Sequence, residues 1–203
     1  MTTRVLLATR NSKKLAELRR ILDAASDLGQ VELVGLAEVP AFPELPETGL
    51  TFEENALIKA REAARCTGLV AVADDSGLAV DVLGGMPGVF SARWAGKHGD
   101  DLANLELLLG QLADVPDAHL TAAFVCAAVV VLPDGRERTV HGSMPGRLVR
   151  TPRGTRGFGY DPIFAAQGHT RTNAELTVPE KDAISHRGQA FRELARTLAQ
   201  LLG

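Results

Sequence analysis

The first eighty residues alternate short apolar runs with amphipathic stretches, and this alternation restricts the fold more than any other feature of the chain. Val5 to Ala8 is an apolar run that ends in polar residues, as a buried strand does. Leu15, Leu18, Ile21 and Leu22 then recur at helical spacing with charges between them, which predicts a helix from Lys14. Val31 to Leu36 reads as a second strand, after which Pro40, Pro43 and Pro46 exclude regular structure up to Gly49. Thr51-Phe52-Glu53-Glu54 is a capping box that starts a second helix. Ala56, Ala60, Ala63 and Ala64 give that helix a close-packing face, and Gly68 can end it. Leu69 to Ala73 is strand-like and is expected to stop at Asp74-Asp75-Ser76-Gly77.

The remainder has a different texture. Leu78 to Leu83 looks extended and runs into the turn Gly84-Gly85-Met86-Pro87-Gly88. A leucine stripe marks a helix over Asp101 to Leu112. Leu120 to Leu132, the Pro133-Asp134-Gly135 turn and Arg138 to His141 form a hairpin, extended by Arg147 to Val149. Thr151 to Tyr160 reads as a loop, Thr177-Val178-Pro179-Glu180 as another capping box, and Phe191, Leu194, Ala195, Leu198, Leu201 and Leu202 stripe a C-terminal helix. An alternating half followed by a hairpin-rich half predicts an α/β fold with a mixed sheet. Its length of 203 residues suits one domain, 1–203, with two lobes, and is ample for a core.

Composition narrows the function classes. Cys66 and Cys126 stand far apart and form no metal-ligand spacing, which favours a reducing compartment over a disulfide scaffold. The longest apolar run, Ala122 to Leu132, is too short to cross a membrane, and the residues before Val5 are too few for a signal peptide. The expectation is a cytoplasmic protein with no membrane partner. A net charge of −3 argues against general nucleic-acid binding. Between Arg136 and Arg156, however, lie six arginines and the single acid Glu137. They are either a solvated loop face or an anion-facing surface.

Four segments carry residues suited to chemistry, each with a plainer alternative. Thr9-Arg10-Asn11-Ser12-Lys13-Lys14 joins the first strand to the first helix. The orphan amides of a helix N-terminus, with two lysines, suit a phosphate; equally, Asn11 or Ser12 is an ordinary N-cap. Asp74-Asp75-Ser76 places two adjacent carboxylates where a hard cation such as Mg²⁺ would relieve their repulsion, with Glu47 as a third ligand; equally, they cap a turn. Gly157-Phe158-Gly159-Tyr160-Asp161-Pro162 could bring backbone and an aromatic ring to a base, or be a tight loop with one buried ring. Lys181 with Ser185-His186-Arg187-Gly188 could address an anion or a keto oxygen, or be solvated surface. Asn55 and Lys59, on one face of the second helix, give a weaker signal. No P-loop, nucleophile elbow or H-E-x-x-H occurs, and the scattered histidines favour an oxygen-ligated metal over zinc.

Taken in order, these segments resemble the inosine triphosphate pyrophosphatase family. The likeness lies in Thr9-x-Asn11-x-x-Lys14, Glu47-Thr48-Gly49 with Phe52-x-Glu54-Asn55-Ala56, and Ala73-Asp74-Asp75-Ser76-Gly77-Leu78. It continues through Gly84-Gly85-x-Pro87-Gly88, Ser91-Ala92-Arg93, Gly157 to Pro162 and Ser185 to Gly188, spanning residue 5 to about 200. The resemblance implies a two-lobed mixed-sheet α/β fold with a deep central cleft, assembled as a homodimer. It implies Mg²⁺-dependent hydrolysis of dITP, ITP or XTP to the monophosphate and pyrophosphate, which cleanses the nucleotide pool. By position, Thr9, Arg10, Asn11, Ser12, Lys13 and Lys14 would hold the triphosphate. Asp75 would bind metal and accept a proton from water, Glu47 would be a further metal ligand, and Ser76 would touch substrate. Phe158, Gly159, Tyr160, Asp161, Lys181, His186 and Arg187 would receive the nucleotide, chiefly its base, with Lys59, Arg93 and Asp74 in support. A non-catalytic nucleotide or nucleic-acid binding module using the arginine segment is the rival reading. A related pyrophosphatase for modified pyrimidine or canonical nucleotides is another.

Overall fold

The computed structural model describes residues 2–24 and 31–202. Its elements follow the alternation expected of the first half. Strand β1 (Thr3–Leu7) leads to helix α1 (Ser12–Asp23), then β2 (Val31–Gly35), α2 (Phe52–Thr67) and β3 (Val70–Val80). Helix α3 (Asp101–Gln111), β4 (Thr121–Val131), β5 (Glu137–Leu148), the short β6 (Phe164–Ala166), α4 (Val178–Ile184) and α5 (His186–Leu202) complete it. The sheet order is β2-β1-β3-β4-β5-β6. Strand β1 runs parallel to both β2 and β3, whereas β5 and β6 are antiparallel, so the sheet is mixed as expected.

Three strand boundaries differ from the sequence reading. Strand β3 does not stop at Asp74 but runs through Asp-Asp-Ser-Gly to Val80. Turn-prone residues stay extended there because tertiary partners hold them, which overrides local preference. Strand β5 is one continuous strand over the stretch read as two pieces, and β6 lay in a segment too short to show periodicity. The cap signals held: Thr51 and Glu54 form the reciprocal box that starts α2, and Gly68 ends it in the left-handed conformation at φ 67°.

Two compact units share the chain. One comprises Met1–Asp75, Cys126–Gly142 and Arg187–Gly203; the other comprises Ser76–Val125 and Ser143–His186. In the first unit β1, β3 and β4 are buried on both faces, and their alternate residues serve different cores. Val5, Leu7, Val70, Val72, Cys126, Ala128 and Val130 pack with Leu18 and Leu22 of α1 and Phe191, Leu194 and Leu198 of α5. Their neighbours Leu6, Ala8, Ala71, Ala73, Val129 and Val131 pack with Ala56, Ala60, Ala63 and Ala64 of α2. The small side chains of α2 bring that helix close to the strands. The second unit has its own core, in which Leu78, Val80, Leu105, Leu108, Phe124, Tyr160, Ile163 and Phe164 meet. Among the described residues no helix is long and apolar enough to cross a membrane.

Candidate active site

Strand alternation decides what the two adjacent aspartates do. Asp74 has the parity of Val70 and Val72, so it emerges on the face covered by α1 and α5. Asp75 has the parity of Ala71 and Ala73 and emerges on the α2 face. The pleat sends the two carboxylates to opposite faces, which corrects the expectation that they share one turn.

On its face Asp74 has a fully buried side chain with Lys14 Nζ 3.1 Å and Arg187 Nε 3.4 Å from Oδ2. Arg187 in turn bonds Glu17 through Nη1 at 2.9 Å, so two acids and two bases form one ion network. Burial opposes ionisation of Asp74, but Lys14, Arg187 and Lys59 outweigh it and hold its carboxyl well below the usual range. Burial likewise disfavours the Arg187 cation, and Glu17 and Asp74 more than compensate. Glu17 escaped the sequence reading, although it stands one turn after Lys14 beside the apolar stripe. Arg187, which the resemblance places toward the base, has its guanidinium in this network.

On the opposite face Asp75 Oδ2 accepts from Asn55 Nδ2 at 3.1 Å, while Oδ1 lies 3.8 Å from Lys59 Nζ. The same ammonium is 2.8 Å from Glu47 Oε1. Glu47 and Asp75 therefore converge on one point of positive charge. Burial raises the Asp75 carboxyl above its ordinary range despite Lys59 and Lys14. Burial works against the Lys59 cation, and Asp75, Asp74 and Glu47 reverse that and stabilise it. Among the described residues no three His, Cys, Asp or Glu side chains form an all-protein metal cage. Two converging carboxylates fit Mg²⁺ nonetheless, because that ion draws its remaining ligands from phosphate and water.

Beside this cluster, Asn11 caps α1. Its side chain accepts from the amides of Lys13 at 3.0 Å and Lys14 at 3.2 Å, and Thr9 Oγ1 accepts from the Asn11 amide. The cap orders the first turn and its lysines, which is the plain reading of Asn11. Arg10 turns to the proline-rich loop, to the Phe42 carbonyl at 3.0 Å and Glu44 at 3.2 Å.

The second unit gathers another group of expected residues around Asp161. Its buried Oδ2 accepts from the Phe158 amide at 2.9 Å and Lys181 Nζ at 2.6 Å, and Oδ1 accepts from Asn173 Nδ2 at 3.1 Å. Lys181 Nζ also sits 5.5 Å from the Phe158 ring centroid. His186 stacks on Phe124, with centroids 4.9 Å apart and planes inclined by 10°. Tyr160 is a core residue whose hydroxyl donates to the Ser91 carbonyl at 2.9 Å, and burial pushes its pKa upward. Gly77, next to Ser76, permits a close approach: a Cβ there would lie 2.3 Å from Ser91 Oγ and 2.5 Å from the Gly88 carbonyl. Arg93 lies over the Phe90 ring at 5.4 Å.

The arginine-rich stretch has a different explanation from anion binding. Arg136 pairs with Asp134, and Arg138 donates to the Glu137 carbonyl. Arg150 bonds Asp117 and the carbonyls of Leu112, Ala113 and Val115, which close the end of α3. Arg147, Arg153 and Arg156 donate to the carbonyls of Asp117, Thr170 and Glu175. These guanidinium groups tie loops and turns together.

Known proteins share the sequence and fold of this chain over nearly its whole length. The Ham1 family model matches residues 5–197, and the chain belongs to that family. The dITP/XTP pyrophosphatase of Streptomyces avermitilis is 60% identical over 202 residues, 99% of this chain and 100% of that protein. The dITP/XTP pyrophosphatase of Frankia alni is 63% identical over 204 residues, 98% of each chain. Among solved structures, the nucleoside-triphosphatase / dITP/XTP pyrophosphatase of Mycobacterium abscessus matches with a TM-score of 0.78 and 58% identity, over 95% of this chain and 98% of that one. A HAM1 protein from Coxiella burnetii matches with a TM-score of 0.85 and 42% identity, over 98% and 99%.

Proposed function

We propose that this chain is a Mg²⁺-dependent pyrophosphatase of non-canonical purine nucleoside triphosphates, releasing pyrophosphate from dITP, XTP or ITP. The observation that carries the reading is the convergence of Glu47 and Asp75 on Lys59, with Lys14 ordered at the opening of α1. Relatives at about three-fifths identity named dITP/XTP pyrophosphatase support the substrate class.

Glu47 and Asp75 would hold the ion, which when bound supplies positive charge to a polyphosphate and favours deprotonation of water. Lys14 and the capped first turn of α1 offer fixed positive charge to phosphate oxygens, where charge grows as pyrophosphate departs. Asp75 accepts a proton from the attacking water, its carboxylate oriented by the Asn55 amide at 3.1 Å. Lys59 offsets part of the negative charge the two carboxylates share. Lys181 and His186 are the donors toward a 6-keto purine, and Phe158 is the stacking surface. A keto oxygen accepts where the adenine amino group donates, and such mismatches at a buried site are worth roughly 10⁴-fold. A homodimer in the cytoplasm belongs to the same reading and rests on the family resemblance.

The test is a panel of dITP, XTP, ITP, dGTP, dATP and dUTP with purified protein and Mg²⁺, following pyrophosphate and orthophosphate separately. Pyrophosphate from the 6-keto, non-canonical members is expected, with Asp75→Asn folded and inactive. Orthophosphate as product, or full activity in Asp75→Asn, would overturn the reading.

A further inference from the structure

Asn55 is wholly buried in the first turn of α2, a place where a helix facing a core normally carries an apolar residue. Its amide is engaged at both ends. Oδ1 accepts from the Gly49 amide at 2.8 Å, and Nδ2 donates to Asp75 Oδ2 at 3.1 Å. The orientation is forced, because a backbone N–H can only donate, which leaves the NH₂ group for the carboxylate. Asn55 therefore links the strand that carries Asp75 to the loop that carries Glu47 two residues before Gly49.

The neighbouring geometry makes that link stiff. Glu54 Oε2 accepts from the amides of Leu50 at 2.6 Å and Thr51 at 3.2 Å, so three consecutive amides, 49 to 51, end on the first turn of α2. At Gly49 the loop lies flush on the helix: a Cβ there would meet Glu54 Cβ at 2.6 Å and Asn55 Oδ1 at 2.7 Å. At the other end, fixing Asp75 Oδ2 determines that Oδ1 is the oxygen turned toward Lys59.

We infer that Asn55 is the positioning residue of the metal site: one amide sets both the rotation of the Asp75 carboxylate and the seat of the Glu47 loop. The inference rests on the function proposed above. Asn55 touches neither phosphate nor water in this role; it acts through the two acids. Groups that orient metal ligands in this way typically contribute about 10–100-fold to activity or metal affinity.

Two substitutions separate the two ends of the amide. Asn55→Asp keeps an acceptor for the Gly49 amide and replaces the donor facing Asp75 by an oxygen; Asn55→Ala removes both. Expected for both is a fall in kcat for dITP of about 10–100-fold, a higher Mg²⁺ requirement, and a nucleotide KM changed less than threefold. Amide exchange provides a readout that needs no activity. Gly49 should be protected in the unaltered protein and in Asn55→Asp, and should exchange rapidly in Asn55→Ala. Folded variants with kcat within threefold of the parent would overturn the inference, as would rapid Gly49 exchange in the parent itself, a result that does not depend on either variant folding. An unaltered protein that releases no pyrophosphate from dITP would defeat the proposed function instead, whatever the exchange data show.

Discussion

Replacing Asp74 with asparagine should cost the protein much of its stability. The network around it holds two negative groups, Asp74 and Glu17, and two positive ones, Lys14 and Arg187. Asp74→Asn leaves an excess positive charge beside a fully buried Arg187. Breaking a buried pair from one side costs about 3–5 kcal/mol. Lys14 keeps 14% of its side chain exposed and can turn toward water, so the lower end, about 3 kcal/mol, applies. For a chain of this size that corresponds to a fall in Tm of about 6–12 °C. The effect should also depend on pH with a definite sign. The folded-state pKa of Asp74 lies below its ordinary 3.8, so its contribution is fully present above about pH 4 and fades on acidification through the folded value. Urea denaturation of both proteins from pH 7 downward should therefore show a gap that narrows below about pH 4. Adding Arg187→Met to Asp74→Asn restores the charge balance, and the pair should cost about 1–3 kcal/mol less than the sum of the single changes. A gap under about 1 kcal/mol at pH 7, or one of constant size across the pH series, would refute the reasoning.

Phe158→Ala should weaken nucleotide binding by about 1–3 kcal/mol if a base stacks on that ring; equilibrium binding of a non-hydrolysable inosine triphosphate analogue checks this, and unaltered affinity would make Phe158 a packing residue. Gly77→Ala should destabilise the protein by about 1–3 kcal/mol, because the new methyl meets Ser91 Oγ and the Gly88 carbonyl at contact distances no side chain tolerates. A thermal melt equal to that of the parent would mean the 88–91 segment yields freely. Lys14→Ala should raise KM and lower kcat together, measured by steady-state pyrophosphate release. Unchanged kinetics would remove Lys14 from the phosphate role.

The sequence exposed features that act locally and concealed those that act across the fold. Thr51 and Glu54 satisfy each other within one helical turn, so the start of α2 could be read directly. The apolar stripes of α1 and α5 and the hairpin turn at Pro133 to Gly135 were visible for the same reason. The extent of β3 was hidden, since what keeps Asp74 extended is Lys14 in α1 and Arg187 in α5, more than fifty residues away on either side. Glu17 was missed because an acid three residues after a lysine on a helix ordinarily marks a solvated face. From the residues alone Asn55 and Lys59 read as a polar face of α2, and only the resemblance put Lys59 in support of the site; nothing local reveals that the face meets Asp75 and Glu47. Motif order singled out Glu47, Asp75, Lys14 and Arg187, but nothing in it reveals that Lys14 and Arg187 share one buried network with Glu17 and Asp74.

Consecutive aspartates on opposite sides of a pleated strand have a consequence for how such a protein can change. Substitutions in α2 act first on the surroundings of Asp75 and those in α1 and α5 on the surroundings of Asp74, while Lys14 and Lys59 each reach both acids electrostatically. A single-residue insertion or deletion ahead of them in β3 would exchange their surroundings, turning Asp75 toward α1 and α5 and Asp74 toward α2. Point changes on either side are therefore open to selection, whereas the length of that strand is not.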